Sequence, residues 1–511
     1  MIRLLSWRSD GARREARMVA WLQSWWLTTL MAMLGAGMGL TGGAAKAATP
    51  IKDWTVMVYM NGDNDLEPWA LRNYLQMAKV GSTEQVNIVC QFDRVPGYAG
   101  ATPDYDDWTQ TLRFYVTKNG KPMSKQALAD MGELDMGDPA TLRDFVGWAR
   151  SAYPAKKYML IIWNHGQGWR YFETVTIPIA MAPRMAKLRM QLPMFNAVSR
   201  EKQETQSRQL WGNLQQKMSS AEWDALEASR SAPMAAEIPL DHAVHGSIRY
   251  VSSDSTARSH LYNSAIQEVL EGMFQTNQLD VIGYDACLMS MVETAYAMRR
   301  ACRVMVASEE LEPAKGWQYA TWLAELTAKP EMDAEALARL IVESYAKQFE
   351  GFDAETTLSA TRMDGVDQLA KNISVFAEAA MRVLPKESER IREARYQCYN
   401  YAQGFGLHGI DLGRFVQQLL ERVADAELQA SGKAVLKQLD KMLVANYAGE
   451  ERRGGFGSSG LAIYFPHTKT AFLADPDRGG YEIGNTNHPV EFVRSQKWAK
   501  FLAAYYNFVT D

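Results

Sequence analysis

The chain has 511 residues, a formal net charge of −4, 47% hydrophobic residues and four cysteines. This length is enough for two or three domains, and the composition is that of a globular protein, not of a disordered chain. The near-neutral charge argues against a nucleic-acid-binding protein, which usually has a basic excess. Four cysteines are too few for a disulfide framework.

Residues 1–47 have the features of a bacterial export signal. Five arginines precede an apolar stretch from Val19 to Leu40, and Ala45-Lys46-Ala47 matches the A-x-A pattern of a cleavage site. We therefore predict a signal peptide over 1–47, a secreted or periplasmic mature protein, and no membrane contact after cleavage. An uncleaved anchor is the alternative, because about 20 apolar residues can span a bilayer.

Short apolar strands alternate with helical patterns through the first part of the mature chain. Strands are predicted at 54–60, 86–92, 157–163, 279–285 and 304–308, with a shorter alternating pattern at 107–117. Helices are predicted at 66–77, 141–152 and 259–274, and from Cys287 onward. This alternation favours an α/β fold with a mostly parallel sheet that helices cover on both faces.

Residues 172–243 interrupt the alternation with five prolines, one glycine and scattered Arg and Lys. We predict that they form an inserted segment within an α/β domain spanning 48–365. Residues 366–511 are helix-rich and include a late strand at 460–466. This C-terminal region either supports the sheet or forms its own domain, and the sequence leaves both possibilities open.

Two predicted strands end in side chains suited to catalysis. His165 follows strand 157–163 and Cys287 follows strand 279–285, and parallel sheets gather functional groups at these carboxyl ends. A helix beginning at Cys287 would favour its thiolate form, as would a protonated His165. The N–H groups of Gly166 and Cys287 are candidates for an oxyanion site. The pattern predicts a Cys–His dyad for acyl transfer, although either residue taken alone is more often structural than catalytic.

Asp285 lies two residues before Cys287, so strand alternation turns both side chains the same way. A carboxylate beside the nucleophile predicts a pocket for Arg, which binds in a two-pronged manner, or Lys. The alternative is that Asp285 caps the following helix. Spacing alone does not separate these two interpretations.

Several motifs in chain order resemble the clostripain family (peptidase family C11). They run in family order from Trp54 to Pro466 and lie at 54–60, 63–67, 164–169, 280–289, 308–317 and 460–466. The resemblance implies a caspase-like fold and a cysteine endopeptidase with His165 and Cys287 as the catalytic pair. It also implies that Asp285 lies at the base of a pocket that prefers Arg, and sometimes Lys. The expected partners are protein or peptide substrates with basic residues, and not nucleic acids.

The resemblance also implies that the chain is made as a precursor, because many family members cut themselves between the His and Cys motifs. The 172–243 segment lies in this interval and is rich in basic residues. The candidate self-cleavage residues are Arg184, Lys187, Arg189, Arg200, Arg208 and Arg230.

No cofactor or metal site is predicted from residue spacing, although some members of the resembled family depend on calcium. Asp63, Asp65 and Glu67 lack the spacing of a twelve-residue calcium loop, and turn or helix-cap roles suit them better. Glu309, Glu310 and Glu312 either support a basic-residue pocket or are solvated.

Two other functions compete with the peptidase prediction. One is an exported binding protein that keeps the fold without turnover. The other is a cysteine hydrolase or transpeptidase with a non-basic substrate. Both dyad residues are present together with Gly166 and Asp285, which favours the peptidase.

Overall fold

The computed structural model describes residues 51–170, 251–275, 277–353, 355–402, 407–453, 457–475, 477–484 and 490–509. The predicted export signal, the 172–243 segment and its candidate cleavage residues lie outside the described residues. The chain from Pro50 to Asp511 groups into one compact unit. The division that we predict at residue 365 stays a prediction.

Thirteen strands are present among the described residues. They are β1 (Lys52–Gly62), β2 (Val86–Arg94), β3 (Leu112–Tyr115), β4 (Ala129–Asp130), β5 (Ala155–Trp163), β6 (Val251–Asp254), β7 (Ser259–Leu261), β8 (Leu279–Asp285), β9 (Cys302–Ala307), β10 (Thr357–Arg362), β11 (Gly409–Asp411), β12 (Leu443–Ala448) and β13 (Ala462–Tyr464). Nine of them form one sheet in the order β12-β10-β9-β8-β5-β1-β2-β3-β4. The central strands β9, β8, β5, β1 and β2 are parallel, and the outer strands are antiparallel.

The described α-helices number thirteen. They are α1 (Glu67–Val80), α2 (Pro139–Ala152), α3 (Asn263–Met273), α4 (Val292–Met298), α5 (Tyr319–Ala328), α6 (Ala334–Phe349), α7 (Val366–Tyr396), α8 (Leu412–Arg422), α9 (Ala426–Met442), α10 (Glu450–Arg453), α11 (Lys469–Ala474), α12 (Glu491–Ser495) and α13 (Trp498–Phe508). Among the described residues, no helix combines the length and the apolar composition that a membrane span requires.

Two apolar cores lie on opposite faces of the nine-stranded sheet. Alternate residues of β1 enter different cores: Val56 and Val58 pack with α1, α5 and α6, whereas Met57 and Tyr59 pack with α2, α3 and the C-terminal helices. Strands buried on both faces need apolar side chains at nearly every position, which explains the continuous apolar runs in the sequence. The predicted fold class, a mostly parallel sheet flanked by helices, is confirmed.

Two helices begin later than the sequence pattern predicts. Residues Ser259–Leu261 form β7, so the helix predicted at 259–274 is shorter. The helix predicted from Cys287 begins instead at Val292, with extended Met291 as its N-cap. Leu288 has a left-handed backbone with φ of 62°, which no helix accommodates. The prediction that a helix dipole favours the Cys287 thiolate is therefore wrong.

The region after residue 365 contributes to the central sheet through a strand that the sequence analysis missed. Residues Leu443–Ala448 form β12, which pairs with β10 at the edge of the sheet. The predicted late strand is present as β13, but it pairs with β11 in a separate two-stranded sheet. This places the predicted catalytic residues on a sheet whose edge comes from the C-terminal region.

Candidate active site

The strand register brings His165 and Cys287 to the same edge of the sheet. Trp163 of β5 is paired with Asp285 of β8, and each candidate lies two residues beyond that pair. The two turns touch, because a Cβ on Gly166 would lie 2.3 Å from the carbonyl oxygen of Cys287 and 3.0 Å from its nitrogen. Only glycine fits between them. The structure thus brings these three predicted residues together.

His165 has a charged partner that the sequence analysis assigned to a turn. Its Nε2 lies 2.7 Å from Oδ1 of Asp65, in the loop after β1. A carboxylate at this distance fixes the orientation of the imidazole ring. A signal for this pairing was available: β1 and β5 are adjacent parallel strands, and Asp65 and His165 both follow their carboxyl ends.

The thiol of Cys287 is partly exposed and is contacted by the backbone of Glu312. The N–H of Glu312 donates to Sγ at 3.2 Å, and Sγ lies 3.8 Å from the Glu312 carbonyl oxygen. Burial raises the pKa of Cys287 to about 12, and the negative charge of Glu312 adds to this shift. In this conformation the cysteine is a thiol, the opposite of what a helix N-terminus would produce.

Asp285, two residues before Cys287, is only 5% exposed. Its Oδ2 accepts hydrogen bonds from the Tyr319 hydroxyl at 2.7 Å and the Trp317 N–H at 3.3 Å. Burial raises the pKa of Asp285 to about 6, although the hydrogen bonds from these two donors lower it. The residue does not cap the following helix, whose N-cap is Met291, so the capping alternative is wrong.

Glycine at 316 lets the backbone approach the carboxylate of Asp285 closely. Gly316 has φ of 61°, and a Cβ at this position would lie 2.8 and 2.9 Å from the two carboxylate oxygens of Asp285. A side chain there would fill the space above Asp285.

Of the three glutamates that follow β9, only Glu312 reaches the site. Glu309 accepts the Gly460 N–H at 3.0 Å, and Glu310 pairs with buried Arg452 at 2.9 Å. The carboxylate oxygens of Glu312 are buried, and they lie near the Asp285 carboxyl group, the Trp317 side chain and the Ala286 backbone. Burial raises the pKa of Glu312, and repulsion from Asp285 raises it further. The solvated alternative is therefore wrong, and two carboxyl groups adjoin the thiol.

The other three cysteines are buried away from this chemistry. Cys90, Cys302 and Cys398 are all described and, like Cys287, are free. Burial raises the pKa of Cys398 to about 12 and that of Cys90 and Cys302 even further. Of the four cysteines, Cys287 is partly exposed and lies against the turn that contains His165 and Gly166.

Comparison with known proteins identifies a peptidase family. The family profile Peptidase C11, described as the clostripain family, matches residues 58–193 and 240–504. Clostripain of Hathewaya histolytica is 30% identical over 126 residues, which cover 23% of this chain and 24% of clostripain. The matched segment thus spans about a quarter of that relative.

Two solved structures share the fold over nearly their whole length. An inactive zymogen of a C11 protease from Parabacteroides distasonis aligns with a TM-score of 0.51 and 16% identity, covering 89% of this chain and 99% of that chain. A secreted C11 cysteine protease from Bacteroides thetaiotaomicron, bound to an irreversible peptide inhibitor, aligns with a TM-score of 0.51 and 14% identity, covering 88% and 99%. At these low sequence identities, the two structures show similarity of fold only.

Proposed function

The chain belongs to the clostripain family, a family of cysteine endopeptidases, and from this membership we propose that it is a secreted enzyme that cleaves after Arg or Lys. The observation that supports the proposal is the register of β5 and β8, which pairs Trp163 with Asp285, so that His165 and Cys287 each follow this pair by two residues. Secretion is supported by the predicted export signal and by the secreted C11 protease that shares the fold.

The reaction would proceed by acyl transfer through the thiol. His165 takes the proton from Sγ of Cys287, and the thiolate attacks the carbonyl carbon of the scissile peptide bond. The N–H groups of Gly166 and Cys287 stabilise the negative oxygen that forms. His165 then gives its proton to the leaving amine, and water hydrolyses the thioester. Asp65 orients His165 and stabilises its charged form.

The two carboxyl groups would couple substrate choice to activation of the nucleophile. A guanidinium or ammonium group that displaces Glu312 and pairs with Asp285 compensates their buried negative charge. That compensation removes the repulsion that raises the pKa of Cys287. A basic residue in the substrate therefore favours the thiolate, whereas an apolar residue leaves the thiol protonated.

The proposal is tested with fluorogenic peptides that carry Arg, Lys, Asp or Leu before the scissile bond. We expect turnover of the Arg peptide, and of the Lys peptide, by the wild-type protein and none by Cys287→Ala or His165→Ala. No turnover of any peptide, before or after limited trypsin treatment, would favour a binding protein. Cleavage after Asp or Leu would favour a hydrolase of non-basic specificity and remove Asp285 from its role.

The same preparations test self-processing in the 172–243 segment. We expect wild-type protein to yield two chains and Cys287→Ala to remain intact, with the new N-terminus following one of the basic residues named above. Identical intact bands for both proteins would exclude self-cleavage.

A further inference from the structure

A cavity of about 470 Å³ is lined by residues of α3, α4 and α12, outside the residues assigned above to catalysis. Its walls come from distant parts of the chain and include Trp169, Asn263 of α3, Glu293 and Ala297 of α4, Val490, and Arg494 of α12. A cavity of this volume is large enough for a small organic ligand. The polar groups of its walls indicate which chemistry that ligand has.

Glu293 brings a buried carboxyl group to this cavity and is only 2% exposed. Its Oε1 accepts the Tyr481 hydroxyl at 2.6 Å and the Tyr464 N–H at 3.1 Å. No hydrogen bond from another residue reaches its Oε2. Among the described residues, no Lys or Arg forms an ion pair with Glu293, since nearby Arg170 pairs with Asp475 instead. Buried charges in proteins are normally paired, so this carboxylate lacks a cation.

Two more buried polar atoms of the cavity walls have no hydrogen-bond partner. Nδ2 of Asn263 donates to the Gly168 carbonyl at 2.9 Å and to the Thr294 hydroxyl at 3.1 Å. These bonds fix the amide and leave Oδ1 of Asn263 as an unpaired acceptor. The ring of Trp169 packs edge-on against Tyr464, and its Nε1–H has no acceptor. Buried polar atoms without a partner are rare in folded proteins and require an explanation.

We propose that this cavity binds the N-terminal residue of a peptide. The ammonium group donates to Oε2 of Glu293 and Oδ1 of Asn263, and the first carbonyl oxygen accepts from Nε1 of Trp169. An ammonium group carries three donors and no acceptor, and it supplies the positive charge that Glu293 lacks. Ala297 and Val490 give the first side chain of the peptide an apolar contact.

The chemistry of an N-terminal residue matches all three unpaired atoms. A simple amine would leave the indole N–H of Trp169 without an acceptor, and a carboxylic acid would add negative charge beside Glu293. A peptide bound here contacts the continuations of both proposed catalytic turns, because Trp169 follows the turn of His165 and Glu293 lies in the first turn of the helix after Cys287. Every hydrolysed peptide bond produces a new N-terminus, so products of the proposed reaction are suitable ligands.

The test uses the full-length Cys287→Ala protein at pH 7.5 and the probe alanyl-valinamide, which has no basic side chain. We expect saturable binding of one equivalent in a calorimeter. The N-acetylated probe should bind at least about tenfold more weakly, because it lacks the charged donor. Glu293→Gln keeps an acceptor for its two donors but loses the charge, so binding should be lost. The matched control Glu343→Gln removes the same charge from an exposed position and should bind as the parent does.

Two further variants separate loss of this site from loss of the fold and from binding at the proposed catalytic pair. Trp169→Phe removes the indole donor and keeps the aromatic packing, so it should weaken binding several-fold while the protein still melts cooperatively. Asp285→Asn should bind the probe as the parent does.

Absence of saturable binding by the parent, equal binding of the acetylated probe, or undiminished binding by Glu293→Gln would overturn the proposal. Loss of binding in Asp285→Asn alone would place the probe at the proposed catalytic pair and would also overturn it. Because the parent lacks the nucleophile, its binding is independent of whether the wild type proves to be a peptidase.

Discussion

At the residue scale, the proposed nucleophile and the proposed specificity pocket share one set of charges. Glu312 contacts the Cys287 thiol through its backbone and lies against Asp285 through its side chain. The carboxylate that would attract a basic substrate therefore also holds the thiol in its protonated form. In the proposed reaction, this arrangement would limit the reactivity of the free enzyme until a substrate supplies a positive charge.

Replacing Glu312 with glutamine tests this coupling. The glutamate charge raises the pKa of Cys287, so its removal should lower that pKa. We expect alkylation by iodoacetamide to be faster, about tenfold for each pKa unit, and its rise with pH to begin at a lower pH. Cleavage of the Arg peptide should weaken in the same variant. The rate of alkylation from pH 7 to pH 10 is measured, with Glu343→Gln as a surface control.

An unchanged alkylation profile in Glu312→Gln would show that its charge does not act on the thiol. Slower alkylation would contradict the proposal directly.

At the element scale, the segment after β9 is held in place from several directions. The Gln348 side chain of α6 donates to the Gly316 carbonyl, and Asn73 of α1 donates to that of Lys315. Glu310 is fixed by the Ala402 N–H at 2.8 Å and by Arg452 of α10, whose guanidinium stacks on Tyr399. The loop that covers the thiol is thus positioned by helices from both parts of the chain.

Replacing Arg452 with methionine should destabilise the protein strongly. The change keeps much of the side-chain volume and leaves Glu310 buried without its partner, which costs about 3–5 kcal/mol. Urea unfolding at pH 8 measures the effect. The control is Arg382→Met, whose partner Asp425 is more exposed, and its effect should be clearly smaller. Equal losses in the two variants would argue against a special role for the buried pair.

At the scale of the whole molecule, the C-terminal region is joined to the catalytic sheet through buried polar groups. Glu293 of α4 accepts the Tyr481 hydroxyl at 2.6 Å and the Tyr464 N–H at 3.1 Å. Arg170, which follows the histidine turn, pairs with Asp475 at 2.7 Å and Asp477 at 2.9 Å. Folding of the catalytic sheet and of the C-terminal region is therefore expected to be coupled.

The pH dependence of stability should report on Glu293. Burial raises its pKa from 4.5 to about 7 in the folded protein. Between these two pH values the folded protein keeps a proton on Glu293 that the unfolded chain releases. The free energy of unfolding therefore falls as the pH rises towards 7. Glu293→Gln cannot titrate, so from pH 4.5 to pH 7.5 its Tm should fall less than that of the wild type. Parallel Tm curves for the two proteins would contradict this assignment.

The apolar runs and strand ends determine much of the architecture and the main candidates for the site. Strand 279–285 is predicted at its observed bounds, because a strand buried on both faces carries mostly apolar side chains. Parallel strand ends converge, so His165, Gly166, Asp285 and Cys287 were predictable together. These inferences need only periodicity and the order of the elements along the chain.

The tertiary structure decided what depends on contacts between distant segments. The sequence pattern placed a helix at Cys287, whereas the backbone turn at Leu288 delays it and the loop of Glu312 sets the state of the thiol. Asp65 and Asp63 are neighbours in sequence, yet one pairs with His165 and the other joins a carboxylate cluster with Asp93. Periodicity reports which face of an element is buried, but charge pairing depends on three-dimensional distance, which only the packed strands define.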